Sequence, residues 1–182
     1  MTKSNLIKLL NNYSAFDEKE KVHTQNTIHF VNTNNELYSR NNMVGHVTAS
    51  AIVVDREYKH VVMIWHEKLQ RWLQPGGHVE IAHDNSLIEA ASRELAEETG
   101  LNLNEISLVS VEPFDLDVHR IPARKNEVEH DHFDFRFLYR FTLESKFSDI
   151  YKWVLIEELL TFEESSLNRI AAKIIRIKQD LN

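Results

Sequence analysis

Two β-rich runs, "HVTASAIVVD" (46–55) and "HVVMIWHE" (60–67), constrain the fold of this chain most. Only "REYK" separates them, which predicts a hairpin. Apolar residues at helical spacing lie on either side. Leu6, Leu9 and Leu10 give residues 4–12 one apolar face, and a second helix, with a possible break, is predicted over 15–31. Ile88, Ala91 and Leu95 mark a helix over 85–99, with Asp84 or Asn85 as its N-cap and Gly100 as its stop. Leu167, Ile170, Ile174 and Ile177 mark another over 163–180. "ISLVSVEPF", "DLDVHRI", "FDFRFLYRFTL" and "YKWVLI" read as further strands, and "RWLQPGG" as a turn that ends the first sheet. Helices, strands, a helix, strands and a last helix predict an α+β or mixed-sheet α/β fold, not regular βαβ alternation.

The turn-rich "NTNNELYSRNN" divides the chain into a helical extension, 1–42, and a main domain, 43–182. The apolar stripes of the extension need a partner, and the main domain looks complete without them. We therefore expect a lid or a dimer contact, and so a possible homodimer. The chain has no cysteine, which excludes disulfides and thiolate chemistry. It has no apolar run near the roughly 18 residues of a membrane span. The start, "MTKSNLIKLLNNYSAF", carries no secretion pattern. These features lead us to expect a cytoplasmic protein with no membrane partner. The net charge is −7 and no basic stripe stands out, which argues against a nucleic-acid polymer as partner.

Charge is most unbalanced between Trp72 and His119. Ten acids fall there, and Arg93 is the single Lys or Arg. Glu94, Glu97 and Glu98 stand at i, i+3 and i+4, so a helix would put all three carboxylates on one face, where like charges repel. A hard divalent cation such as Mg²⁺ resolves that repulsion. The preceding "PGG" permits close backbone approach, so a carbonyl there could join the site. The competing reading is a solvated acidic face beside an ordinary glycine turn.

"GG…RELAEETGL" resembles the Nudix box, G-x5-E-x7-R-E-U-x-E-E-x-G-U with U apolar. Arg93, Glu94, Leu95, Glu97, Glu98, Gly100 and Leu101 fill its second half, and Gly77 is similar to its first glycine. The spacing from Gly77 to Arg93 is two residues longer than the pattern. The position of the first glutamate therefore falls on His83 or Asn85, with Asp84 between them, and its role stays unassigned. The resemblance implies a Nudix fold, an α/β/α sandwich. It implies metal-dependent hydrolysis of a diphosphate bond in a nucleoside diphosphate linked to another moiety, with Mg²⁺ or Mn²⁺ as cofactor. Glu97 and Glu98 are then metal ligands, Glu94 a third ligand or the base, Arg93 the holder of a neighbouring glutamate, and Gly76 a carbonyl ligand. The alternatives are a non-catalytic Nudix-like sensor or regulator, or a hydrolase of a non-nucleotide diphosphate. The prenyl diphosphate isomerase reading calls for a catalytic cysteine that this chain lacks.

A second group lies in "DVHRIPARKNEVEHDHFDFRF". Strand alternation puts His130, His132, Asp134 and Arg136 on one face, where His130, His132 and Arg136 could contact substrate. Arg120, Arg124 and Lys125 could attract an anion, and Glu127 or Glu129 could supply a remote base. Two histidines without a third nitrogen or sulfur ligand nearby make zinc a poor expectation. Trp72 could stack a base or sit as a rim aromatic. The expected partner is a small-molecule diphosphate.

Overall fold

The computed structural model describes residues 1–67, 69–123, 128–142 and 148–181. Helices α1 (Lys3–Asn12) and α2 (Glu18–Thr33) lead into strands β1 (Gly45–Val54), β2 (His60–His66), β3 (Arg71–Leu73) and β4 (Gly76–His78). Then come α3 (Leu87–Thr99), β5 (Ile106–Leu108), β6 (Asp115–Ile121), β7 (His130–Phe141), β8 (Tyr151–Leu155), α4 (Ile156–Leu159) and α5 (Ser165–Asp180). The strands form one mixed sheet, in the order β3-β2-β1-β7-β5. β1 and β7 run parallel at its centre, from Gly45 beside Asp131 to Val54 beside Arg140. β6 pairs with β7, β4 with β1, and β8 with β2, all antiparallel.

β1 is buried at every position because helices cover both faces of the sheet. Val47, Ala49, Ala51 and Val53 face one core, with Leu6 and Leu10 of α1, Phe30 and Val31 of α2, and Ala91 and Leu95 of α3. Ile52 and Val54 face the other, with Leu159 of α4 and Leu167, Ile170 and Ile174 of α5. This is the expected α/β/α sandwich.

The extension is integral to the first core, which is not complete without it. Phe30 stacks on Phe133 of β7 with ring centroids 4.0 Å apart. Glu20 of α2 has 0% exposure, accepts the Leu116 amide at 3.1 Å and pairs with Lys173 of α5. The apolar stripes of α1 and α2 are therefore covered by this chain's own sheet. α2 is also unbroken, with Asp17 as its N-cap accepting from the Glu20 amide.

Two other expectations change. The glycines of "RWLQPGG" do not form a turn: they lie in β4, with Gly76 opposite Ser50 and Gly77 opposite Ala49. The run "ISLVSVEPF" is a strand only over Ile106–Leu108. Among the described residues, no helix is long and apolar enough to cross a membrane.

Candidate active site

α3 is set at both ends. Ser86, not Asp84 or Asn85, is its N-cap: the hydroxyl accepts the Glu89 amide at 3.1 Å, and the Glu89 carboxylate reaches back to the Asn85 amide at 3.0 Å. Gly100 stops the helix with φ 67°. Leu95 is buried in the first core. Glu94 and Glu98 turn toward β4.

The glycines of β4 make that approach possible. A Cβ on Gly77 would lie 2.6 Å from the carboxyl carbon of Glu94. A Cβ on Gly76 would lie 2.2 Å from the Ser50 hydroxyl. The Gly76 amide donates to Glu98 Oε2 at 2.9 Å. Burial pushes the Glu98 carboxyl up to about 7, aided by the charges of Glu94 and Glu97 and opposed by the Gly76 amide. Burial also raises Glu94, with Glu97 and Glu80 adding to it and Arg93 opposing it. Glu97 is the exposed member, its side chain 58% accessible.

Arg93 organises the site. Its bidentate partner is Asp84, with Nε to Oδ1 at 3.0 Å and Nη2 to Oδ2 at 2.9 Å. Nη2 also donates to the His78 carbonyl at 2.8 Å. Nη1 donates to Glu94 Oε1 at 3.0 Å and to Glu97 Oε2 at 3.2 Å. The expected bidentate hold on a glutamate is thus a bidentate hold on Asp84, with single bonds to two glutamates. Asp84 is buried and also accepts the Glu80 amide at 2.7 Å. Burial would raise its carboxyl, but Arg93 and the Glu80 amide hold it below the usual range. The long loop before α3 is therefore closed onto the helix by Asp84.

The donor set fits a hard divalent cation. All its side-chain donors are carboxylate oxygens, and two of the three are raised by burial, so an added positive charge relieves an existing cost.

Beside β4 a cleft of about 1500 Å³ opens. His78, His130, His132 and Arg136 line it, and the α3 glutamates do not. β4 joins the two regions: its glycines meet Glu94 and Glu98, and its His78 side chain faces the cleft.

The sheet beneath the cleft is built in rows across β1, β7 and β6. His46, His132 and His119 are in register, then Thr48, Asp134 and Asp117, then Ser50, Arg136 and Asp115. Asp134 accepts from Thr48 and Ser50, at 3.1 and 2.9 Å. Arg136 gives Nε to Asp134 at 2.9 Å, Nη1 to Asp115 at 3.2 Å and Nη2 to Asp117 at 3.1 Å. Its side chain is 3% exposed. It therefore braces three carboxylates rather than presenting a free charge to a ligand. Arg169 of α5 donates Nε and Nη2 to Asp115 at 2.8 and 2.9 Å. Burial would raise Asp115, but Arg169, Arg136 and Lys173 bring it down to about 2. Burial, with neighbouring histidines, lowers His132 to about 2; burial, Arg40 and neighbouring histidines lower His78 to about 4.

His130 and His132 sit in the cleft as their strand positions suggest. Trp72 does not line it: the ring packs on the second core, 5.5 Å from Trp65. Arg120 is paired with Glu129 and Asp131, at 2.9 and 2.6 Å, which also occupies one proposed remote base. Arg124, Lys125 and Glu127 lie outside the described residues. Sequence reasoning missed Asp84 as the partner of Arg93, and missed His46, His78 and His119. Only the pairing of β1 and β6 with β7, and of β4 with β1, brings these histidines together.

A mixed sheet clad by helices, with an acidic helix pressed onto a glycine strand, defines the class of this protein. The chain belongs to the NUDIX family: the NUDIX domain matches it over residues 44–176. A probable DHNTP pyrophosphohydrolase of Lactococcus lactis subsp. cremoris is 35% identical over 107 residues, 58% of this chain and 60% of that protein. An m7GpppN-mRNA hydrolase of Xenopus laevis is 58% identical over 36 residues, 20% of this chain and 12% of that protein. The chain thus spans less than two thirds of either relative. A NUDIX-family hydrolase from Clostridium perfringens shares the fold at a TM-score of 0.54 and 23% identity, covering 72% of this chain and 97% of that one. The dihydroneopterin triphosphate pyrophosphohydrolase of E. coli does so at 0.55 and 17%, covering 71% and 95%.

Proposed function

We propose that this protein is a Mg²⁺-dependent pyrophosphohydrolase, with Mn²⁺ an acceptable substitute, that cleaves the diphosphate bond of a nucleoside diphosphate linked to another moiety. The observation that carries the reading is the carboxylate face of α3 pressed onto β4, with Glu98 raised by burial to about 7. Membership of the NUDIX family and the pyrophosphohydrolase name of the L. lactis relative support it. Glu97 and Glu98 would hold the cation, with the Gly76 carbonyl beside them. When bound, the cation neutralises diphosphate oxygens and lowers the pKa of a coordinated water. Arg93 keeps Glu94 and Glu97 in place and ties the loop to the helix through Asp84. We assign Glu94, held by Arg93 beside the two cation ligands, to receive the proton of the attacking water. A water oxygen–phosphorus bond forms, the bridging oxygen–phosphorus bond breaks, and the leaving phosphate keeps the electron pair. The cleft lined by His78 and His132 would take the remainder of the substrate. The lack of cysteine accords with work in the cytoplasm.

The test separates the roles. In thermal melts, Mg²⁺ raises the midpoint of the wild type, because a ligand of the folded state stabilises it. Glu97→Gln with Glu98→Gln removes both the rise and the turnover. Glu94→Gln keeps the rise and loses turnover. A panel of diphosphates that includes dihydroneopterin triphosphate identifies the substrate. A wild type that hydrolyses none of them while still binding one or more would instead support the sensor reading.

A further inference from the structure

The histidines at the cleft floor are not used by the chemistry of α3. Five come together from four strands: His46 of β1, His78 of β4, His119 of β6, and His130 and His132 of β7. Ring centroids lie 4.6 Å apart for His46 and His132, 5.0 Å for His46 and His130, and 5.3 Å for His130 and His132. One ligand nitrogen from each of His46, His130 and His132 lies within 4.8 Å of the other two. Nitrogens bound to one tetrahedral ion at about 2.0–2.1 Å are about 3.4 Å from each other. Closing the set takes about 1.4 Å at the widest pair, a distance that side-chain rotation can supply.

Two further details fit ligation. His130 Nδ1 lies 2.8 Å from the Val128 carbonyl. A carbonyl only accepts, so Nδ1 carries the proton and a neutral His130 has its lone pair on Nε2. This is the support that metal-bound histidines generally have. His132 Nε2 is buried and has no hydrogen-bond partner among the described residues. Behind the histidines, Asp117 Oδ2 lies 3.3 Å from His119 Nδ1, which brings negative charge to the edge of the cluster.

We propose that His46, His130 and His132 form a second metal site, separate from the α3 glutamates, that takes a divalent transition ion of the zinc class. An all-imidazole donor set selects such an ion over Mg²⁺, which requires oxygen. Three protein ligands leave a fourth position, open to the cleft, for water or an anionic oxygen. This corrects the expectation that zinc lacks a third ligand here: β1 supplies it, in register with β7. The site stands whether or not the glutamates perform hydrolysis.

The test uses the full chain, stripped with a chelator and titrated with Zn²⁺ by calorimetry in the presence of excess Mg²⁺. The wild type and Glu97→Gln/Glu98→Gln bind one equivalent with equal affinity. His130→Gln/His132→Gln, shown to be folded by circular dichroism, binds at least 100-fold more weakly. X-ray absorption at the zinc edge of the wild type at one equivalent resolves three imidazoles, and this holds even if the histidine variant does not fold. The proposal is overturned by a wild type that takes up no zinc, by a folded histidine variant that binds as the wild type does, or by a zinc shell with fewer than three imidazoles.

Discussion

Arg93 and Asp84 show how a residue's partner can be hidden from its own sequence neighbourhood. The spacing of Arg93 points to Glu89 or Glu97 one turn away, yet its paired bonds go to Asp84, nine residues back in the loop. Nothing in the local pattern gives the path of that loop. If Arg93 acts through Asp84, the two form a unit. Arg93→Lys and Asp84→Asn should each lower kcat about 10–100-fold, the usual cost of removing a residue that orients ligands. The double variant should be no worse than the worse single one, because neighbours in one network are not additive. Fully multiplicative losses in a kinetic double-mutant cycle would refute the coupling. Arg136 shows the reverse. Its strand position suggests a substrate contact, but three aspartates take its guanidinium. Arg136→Ala should therefore cost about 3–5 kcal/mol of stability by leaving buried carboxylates uncompensated. A urea titration in which Arg136→Ala melts like the wild type would contradict this.

At the scale of elements, strands with dense β-branched or aromatic composition were legible: β1, β2, β6, β7 and β8 all lie where the sequence suggests. β4 was not, because two glycines and a histidine carry no strand signal. It is a strand because β1 offers an edge that only glycine can approach. The N-cap was readable from Ser86 and Glu89, three residues apart, but Asp84 and Asn85 just before them are capping residue types as well. The helices α1 and α2 were legible as helices, whereas their docking was not, since amphipathic stripes do not name the surface that covers them. That docking makes a prediction. Phe30→Ala should cost about 3–5 kcal/mol, as for other buried aromatic truncations, and a chain begun at Met43 should fail to fold cooperatively. A soluble truncation with a sharp thermal transition at the wild-type midpoint would show that the extension is dispensable.

Over the whole molecule, the acids of β6 and those of α3, neighbours in the same acidic stretch, are balanced in different ways that the sequence does not separate. Asp115 and Asp117 are neutralised from far along the chain by Arg136 and Arg169, with Lys173 also on Asp115. The glutamates of α3 share Arg93 alone among the ion pairs of the described residues. Distant pairing thus accounts for the acids of β6 and leaves the α3 glutamates with Arg93 as their cationic partner among the described residues. The buried set also fixes an acid limit. Asp115 is lowered to about 2 from an unfolded value of about 3.9. Its contribution is present above the unfolded value and is lost as pH falls through the folded one, so stability should drop between about pH 4 and pH 2. Arg169→Met removes two of its hydrogen bonds and should move that loss to higher pH. Urea midpoints that are flat from pH 5 to pH 2 would argue against the network.

The assignment of hydrolysis to the α3 carboxylates is tested by turnover in ¹⁸O-labelled water with Mg²⁺, on the best diphosphate substrate, for the wild type and Glu98→Gln. Losing a major electrostatic stabiliser costs about 10²-fold or more in kcat. Glu98→Gln should show that loss with KM nearly unchanged, and the wild type should place one ¹⁸O in a phosphate product. If Glu98→Gln turns over as fast as the wild type, α3 is not the catalytic element.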